Sequence, residues 1–203
     1  MINVLNHPII QHNLAIMRNE NTGKAEFRRA GDIISMFLAQ AAFENLPTKT
    51  VKVQTPMEET ECKQVACDVV LVPVLRAGLG LLEGFRKIYP DSNTAFVGMR
   101  RNETTAIAEE YYFNCPEIKP DTHFIVLEIM IATGGTTAGA ISRLQLEGAE
   151  NITVCSIISA PEGVETLRAE CPNVRIVTAS LDRQLNEKKY ILPGLGDAGD
   201  RWS

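Results

Sequence analysis

The chain has no strong charge of either sign. It carries 20 Lys and Arg against 25 Asp and Glu in 203 residues, a net charge of −5. A nucleic acid or an anionic membrane is therefore not expected as a partner, and any anionic ligand must be gripped by a few local donors. No apolar run reaches the length that spans a bilayer, and the opening MINVLNHPII lacks the basic flank and apolar core of a signal peptide. The five cysteines, Cys62, Cys67, Cys115, Cys155 and Cys171, are odd in number and scattered, with no second pair to complete a zinc site. Reduced structural thiols in the cytoplasm are the expectation. There are three histidines, His7, His12 and His123, none beside a nucleophile, so covalent catalysis is not anticipated. No repeat, low-complexity stretch or flexible linker divides the chain. One domain over 1–203 is the simplest organisation.

What is present is an alternation of apolar runs and helical patterns. Phe27, Ala30, Ile34, Phe37, Leu38 and Ala41 recur at spacings of three and four, which predicts a helix over residues 26–44. Apolar, β-branched runs follow at Val69–Leu75, Ala95–Met99, Phe124–Ile129, Ile152–Ile158 and Val174–Ala179, with helices between them. This alternation implies an α/β fold with a parallel sheet covered by helices on both faces. Ligands in such sheets sit beyond the carboxyl ends of the strands, so the turns directly after strands carry the functional interest. The tail from about 181 to 203 has no long periodic segment, yet Tyr190, Ile191, Leu192 and Trp202 give it apolar anchors. An ordered tail folded over a site is expected.

Two turns stand out. In FIVLEIMIATGGTT, residues 124–137, a strand ending near Ile129 runs through Ala132, Thr133, Gly134, Gly135 and Thr136 into a helix from about Thr137 to Glu147. The glycines let backbone N–H groups converge, the threonines add hydroxyls and the helix start adds partial positive charge, which together suit a phosphate. Glu128 would face the same crevice and could accept hydrogen bonds from sugar hydroxyls. No GxxxxGK[ST] is present, so this is not the P-loop of nucleotide triphosphatases. In VPVLRAGLGLLEG, residues 72–84, Arg76 follows a strand and precedes Gly78 and Gly80, a place from which a guanidinium could hold a pyrophosphate. Gly78-x-Gly80-x-x-x-Gly84 is also a near-match to a dinucleotide fingerprint, with its third glycine one place late. Gly194-x-Gly196-x-x-Gly199 matches fully but has no helix or second strand to follow.

An acid followed by ATGGT at this spacing resembles the 5-phosphoribosyl-1-pyrophosphate (PRPP) signature of the type I phosphoribosyltransferases. VLRAGLG at 74–80, GMRRNETT at 98–105, HPIIQHNLAIMR at 7–18, ASLDRQLNE at 179–187 and above all YILPGLGDAGDR at 190–201 are similar to uracil phosphoribosyltransferases. The resemblance covers essentially the whole chain. It implies a parallel-sheet type I core with helices on both faces and a C-terminal hood, and conversion of uracil and PRPP to UMP and pyrophosphate in pyrimidine salvage. It further implies Mg²⁺ bound mainly through PRPP, a homodimer or larger homo-oligomer, and GTP as an activator in some relatives. Carried over, Glu128, Ile129, Met130, Ile131, Ala132, Thr133, Gly134, Gly135 and Thr136 bind PRPP together with Arg76, Arg101 and Asp197. Ile191, Gly196 and Ala198 offer main-chain groups to uracil beside Asp197. Asp197, Arg76 and Arg101 are the residues closest to the chemistry. Residues Asn102–Phe113 read as a mobile polar loop able to close over PRPP.

The chain also departs from the family. Glu128, Ile129 and Met130 stand where AspProMet is usual, Arg100 replaces an aromatic residue, the segment 106–110 lacks its usual prolines, and Lys189 stands where glycine is common. Two rivals therefore remain at this stage: a PRPP or nucleotide sensor without turnover, and a nicotinamide-dependent oxidoreductase built on Gly78–Gly84.

Overall fold

The computed structural model describes residues 2–101 and 108–202. The elements in chain order are β1 (Ile2–Val4), α1 (Pro8–Arg18), α2 (Lys24–Phe43), β2 (Thr48–Gln54), β3 (Glu59–Val65), β4 (Val69–Leu75), α3 (Leu79–Ile88), β5 (Asn93–Thr94) and β6 (Phe96–Arg101). They continue with β7 (Ala108–Asn114), β8 (His123–Ile131), α4 (Gly135–Leu146), β9 (Asn151–Ser159), α5 (Pro161–Glu170), β10 (Arg175–Leu181), β11 (Gln184–Leu185), β12 (Ile191–Leu192) and α6 (Ala198–Trp202).

The main sheet runs β1-β10-β9-β8-β4-β6-β7, with the short β5 also on β4. All its pairings are parallel except β6 with β7. The central strand β8 shows why the sheet is covered twice. Ile125, Leu127 and Ile129 enter one core with α1, α2 and α3, while Phe124 and Val126 enter the other with α4 and α5. A strand buried on both faces needs apolar residues at successive positions, which is the run seen in the sequence. From β4 the chain moves through α3 to β6 on one side. From β8 it moves through α4 to β9 on the other side. The carboxyl ends of β4 and β8 therefore border the point where strand order reverses, the place where such sheets open a crevice.

Several boundaries move. The strand predicted to end near Ile129 continues to Ile131, because pairing with β9 persists to Ile131 opposite Ser159. The following helix starts at Gly135 rather than Thr137, so Gly135 and Thr136 belong to its first turn. The expected mobile loop over Asn102–Phe113 is corrected: Ala108–Asn114 is a strand antiparallel to β6. Its polar residues are held by specific partners. Glu110 pairs with Arg143 at 2.9 Å, that guanidinium lies 3.8 Å over the Phe113 ring, and the Tyr111 ring packs on Gly98. Residues 102–107 of that expectation lie outside the described part. The hairpin β2–β3 was not foreseen, because it is exposed along nearly all its length and carries no one-sided apolar pattern. His7 has a structural use: its Nδ1 accepts the Ile9 N–H at 3.1 Å and caps α1. Among the described residues no helix is long and apolar enough to cross a membrane.

Candidate active site

The turn after β8 is shaped by close packing. Gly134 has φ +82°, and a Cβ there would lie 2.6 Å from the Gly163 carbonyl oxygen of α5. Gly163 in turn leaves no room for a side chain against the Ala132 carbonyl. Gly135 has open space where its Cβ would be. The first cap bond of α4 runs from Ala138 N–H to the Gly134 carbonyl at 2.8 Å. The N–H groups of Gly135, Thr136 and Thr137 have no partner among the described residues, as expected of a first helical turn that awaits one.

Glu128 sits just before this turn, on the face of β8 that lower down holds Phe124 and Val126. It is almost fully buried. Burial pushes its carboxyl up to about 8, against a smaller downward pull from the Thr137 hydroxyl. In the free protein at neutral pH it is therefore mostly protonated, a donor as well as an acceptor.

Two cavities open at the strand ends. One, of about 200 Å³, is lined by the β4 end at Leu75, Arg76 and Ala77 and by Glu128, Met130, Ala132, Thr133, Gly134, Thr136 and Thr137. The other, of about 450 Å³, shares Leu75, Arg76 and Ala77 and adds Met99, Arg100 and Tyr111 together with Asp197, Gly199, Asp200 and Trp202. The β4 turn thus joins the Thr-Gly-Gly end to the hood end. Arg76 stands at the junction, exposed, and its side chain has no hydrogen bond or ion pair among the described residues. Its neighbours Gly78 and Gly80 face inward. A Cβ at Gly78 would strike the Leu127 carbonyl, and one at Gly80 would lie 2.5 Å from the Trp202 ring. Gly84 leaves room for Ser35 of α2. Gly78 thus packs on the backbone of β4 and β8, Gly80 on Trp202 and Gly84 on α2, and none of the three lines either cavity.

The hood is tied down from several directions. β11 and β12 pair antiparallel, and Asn186 Oδ1 accepts the N–H groups of Lys188 and Tyr190, both at 2.9 Å. Trp202 fills a socket between Gly31 and Gly80 and meets the Phe27 ring edge-on at 5.9 Å. Asp197 is exposed and accepts the Asp200 N–H at 3.1 Å. Gly196 has φ +70° and open space around it, and neither its N–H nor its carbonyl has a partner among the described residues.

Of the residues predicted to bind PRPP, Glu128, Met130, Ala132, Thr133, Gly134 and Thr136 come together on one wall, with Gly135 in the same helical turn. The side chains of Ile129 and Ile131 are buried in the cores, as the alternation of a strand requires, which leaves only their main chain for a ligand. Arg101 ends β6, and its side chain lies outside the described part of the structure. Ile191 and Ala198 have buried side chains and leave only main chain for a ligand. Tyr111 on the larger cavity's wall was missed. The aromatic run at 111–113 was its signal, since such a run favours a strand over a loop.

A mainly parallel sheet with a glycine turn and a helix start at its switch point is the architecture of the type I phosphoribosyltransferases. A hypoxanthine phosphoribosyltransferase of Trypanosoma cruzi shares the fold at TM-score 0.53 and 11% identity, covering 78% of this chain and 75% of that one. The family model described as uracil phosphoribosyltransferase matches residues 4–202, and the chain belongs to that family. A uracil phosphoribosyltransferase of Campylobacter concisus is 43% identical over 200 residues, 98% of this chain and 96% of the relative. The solved structure of the AQ2163 protein from Aquifex aeolicus superimposes with TM-score 0.94 at 32% identity, covering 100% of this chain and 97% of that one.

Proposed function

We propose that the protein transfers the 5-phosphoribosyl group of PRPP to uracil, forming UMP and pyrophosphate in cytoplasmic pyrimidine salvage. One observation carries the reading. Two adjoining cavities share Leu75, Arg76 and Ala77; unpartnered helix-start amides border one, Asp197, next to the unpartnered Gly196 peptide, borders the other, and the unpaired Arg76 stands between them. Thr133, Gly134, Gly135 and Thr136 would hold the 5-phosphate, and Glu128 the ribose hydroxyls. Arg76, with Arg101, would hold the pyrophosphate. As its bond to the anomeric carbon breaks, the departing group gains charge that a guanidinium stabilises. The uracil nitrogen would form the new bond to that carbon and pass its proton to the departing pyrophosphate or to water. Asp197 would hydrogen-bond near that nitrogen or steady positive charge on the sugar. The peptide groups of Ile191, Gly196 and Ala198 would read the base edge, and the exocyclic amine of cytosine would set donor against donor.

Among the described residues no three carboxylates, imidazoles or thiols gather as a metal cage. Glu128 and Asp197 on the cavity walls offer oxygen donors of the kind Mg²⁺ takes, and the ion would arrive on PRPP with waters and phosphate oxygens as its main ligands. Bound in this way, the ion would neutralise charge on the pyrophosphate. The proposal includes one domain with the hood at 181–203, a homo-oligomeric state to be read by gel filtration, and GTP as an activator to be tested by adding it to the assay.

The decisive experiment incubates the protein with PRPP, Mg²⁺ and a panel of bases. UMP from uracil, with little product from cytosine or purines, is expected. PRPP binding without UMP would replace the enzyme with a sensor.

A further inference from the structure

Asp182 follows the last residue of β10, beyond the sheet, and its side chain is 1% exposed. Arg18 ends α1. The two meet as a two-pronged ion pair, Nη1 to Oδ2 at 2.9 Å and Nη2 to Oδ1 at 2.7 Å. Ser180 Oγ donates to Oδ1 at 2.7 Å. Burial alone would raise the Asp182 carboxyl, but the bonds from Arg18, Ser180 and Gly194 outweigh it and hold the group below the usual range. The same pair also grips the hood. Gly194 N–H donates to Asp182 Oδ2 at 2.9 Å, and Arg18 Nη1 donates to the Gly194 carbonyl at 2.9 Å. Both polar groups of one loop residue are thus tied to opposite charges of one pair, whose carboxylate is buried and whose guanidinium is partly exposed.

The next residue is held from the same helix end. Arg201 Nη1 donates to the carbonyls of Leu195 at 2.9 Å and Met17 at 2.6 Å, and its Nη2 donates to the Asn19 carbonyl at 2.7 Å. Residues 17–19, at and just past the end of α1, therefore bracket Gly194 and Leu195. Gly196, one step on, has no partner of its own, so its orientation is inherited from that bracket.

Resting on the functional reading above, we infer that Arg18 and Asp182 are positioning residues for uracil: they fix the Gly194 peptide and thereby aim the peptide groups of Gly196 and the Asp197 side chain at the base. They touch neither substrate. Charge-assisted, paired bonds are strong and directional, and removing one partner of a buried pair leaves the other uncompensated. Damage should therefore appear at the base end of the crevice, while the Thr-Gly-Gly end, built from β8 and α4, keeps its shape.

Asp182→Asn keeps the volume and removes the charge. Arg18→Lys keeps the charge and removes the planar fork. In steady-state assays the KM for uracil should rise about tenfold or more in Asp182→Asn and by less in Arg18→Lys, with the KM for PRPP within about twofold of the parent. A purely structural anchor would lower thermal stability and shift both constants together, or neither, and that result in a folded variant overturns the inference. If Asp182→Asn does not fold, Arg18→Lys carries the same comparison. If the parent makes no UMP from uracil, the functional reading fails. The positioning claim is then judged by amide hydrogen exchange, where faster exchange at 194–196 with unchanged exchange at 134–137 supports it. Unchanged exchange at both sites sinks it.

Discussion

The two ends of the crevice are built in opposite ways. The phosphate end is a single stretch of chain: one strand, one turn and the first turn of α4, with its shape set by backbone and by the neighbouring Gly163. The base end is a short-element tail that adds to its own turns a set of distant supports, namely Arg18 and the carbonyls of Met17 and Asn19 on or next to α1, Phe27 and Gly31 on α2, and Gly80 on α3. A site of the first kind is damaged by local changes. One of the second kind is damaged from far away.

The comparison can be broken most directly at Asp197. Asp197→Asn can still accept the Asp200 N–H, so the loop should keep its form and its melting temperature. Turnover should fall by about a hundredfold if the charge acts on the sugar or the attacking nitrogen; unchanged kinetics would remove Asp197 from the chemistry. At the other end, Glu128 holds its proton more tightly in the folded chain than in the unfolded one. Its contribution to stability is therefore full below about pH 4.5, the ordinary glutamate value, and is lost as pH rises through about 8. Glu128→Gln should flatten denaturation midpoints across that window, an effect on the order of a few kcal/mol. A variant with the parent's pH slope would show that burial does not govern this group. Gly134→Ala forces a side chain into a left-handed backbone and against the Gly163 carbonyl. A loss of about 2 kcal/mol is expected by urea unfolding, together with a raised KM for PRPP and a parent-like response to base identity. The smallest effect belongs to Lys189, the one non-glycine residue with positive φ (66°) among those described. Lys189→Gly should stabilise the protein by about 1 kcal/mol at unchanged kcat. A loss of stability would mean that the lysine side chain contributes more than its backbone costs.

The same contrast explains what could be read in advance. The strands β4, β8, β9 and β10 announce themselves because burial on both faces makes them continuous apolar runs, and helix α2 because burial of one face spaces its apolar residues by three and four. The phosphate turn is visible because its chemistry is local: an acid, threonines and glycines within ten residues. The tail's residues were recognisable by family resemblance, but their supports were not. Nothing in the spacing of Arg18 and Asp182, 164 residues apart, marks them as a pair. The glycines after Arg76 resemble part of a dinucleotide fingerprint in the sequence, whereas in the structure Gly80, with Gly31, makes room for an indole. The hairpin β2–β3 and strand β7 escaped notice because exposed or edge strands need no apolar face.

The indole in that socket is the chain's sole tryptophan, and it also borders the larger cavity. Its fluorescence therefore reports on the seating of the hood alone, against a background of no competing emitter of its kind. Occupancy of the base end can be followed optically in the unlabelled protein, without any coupled assay.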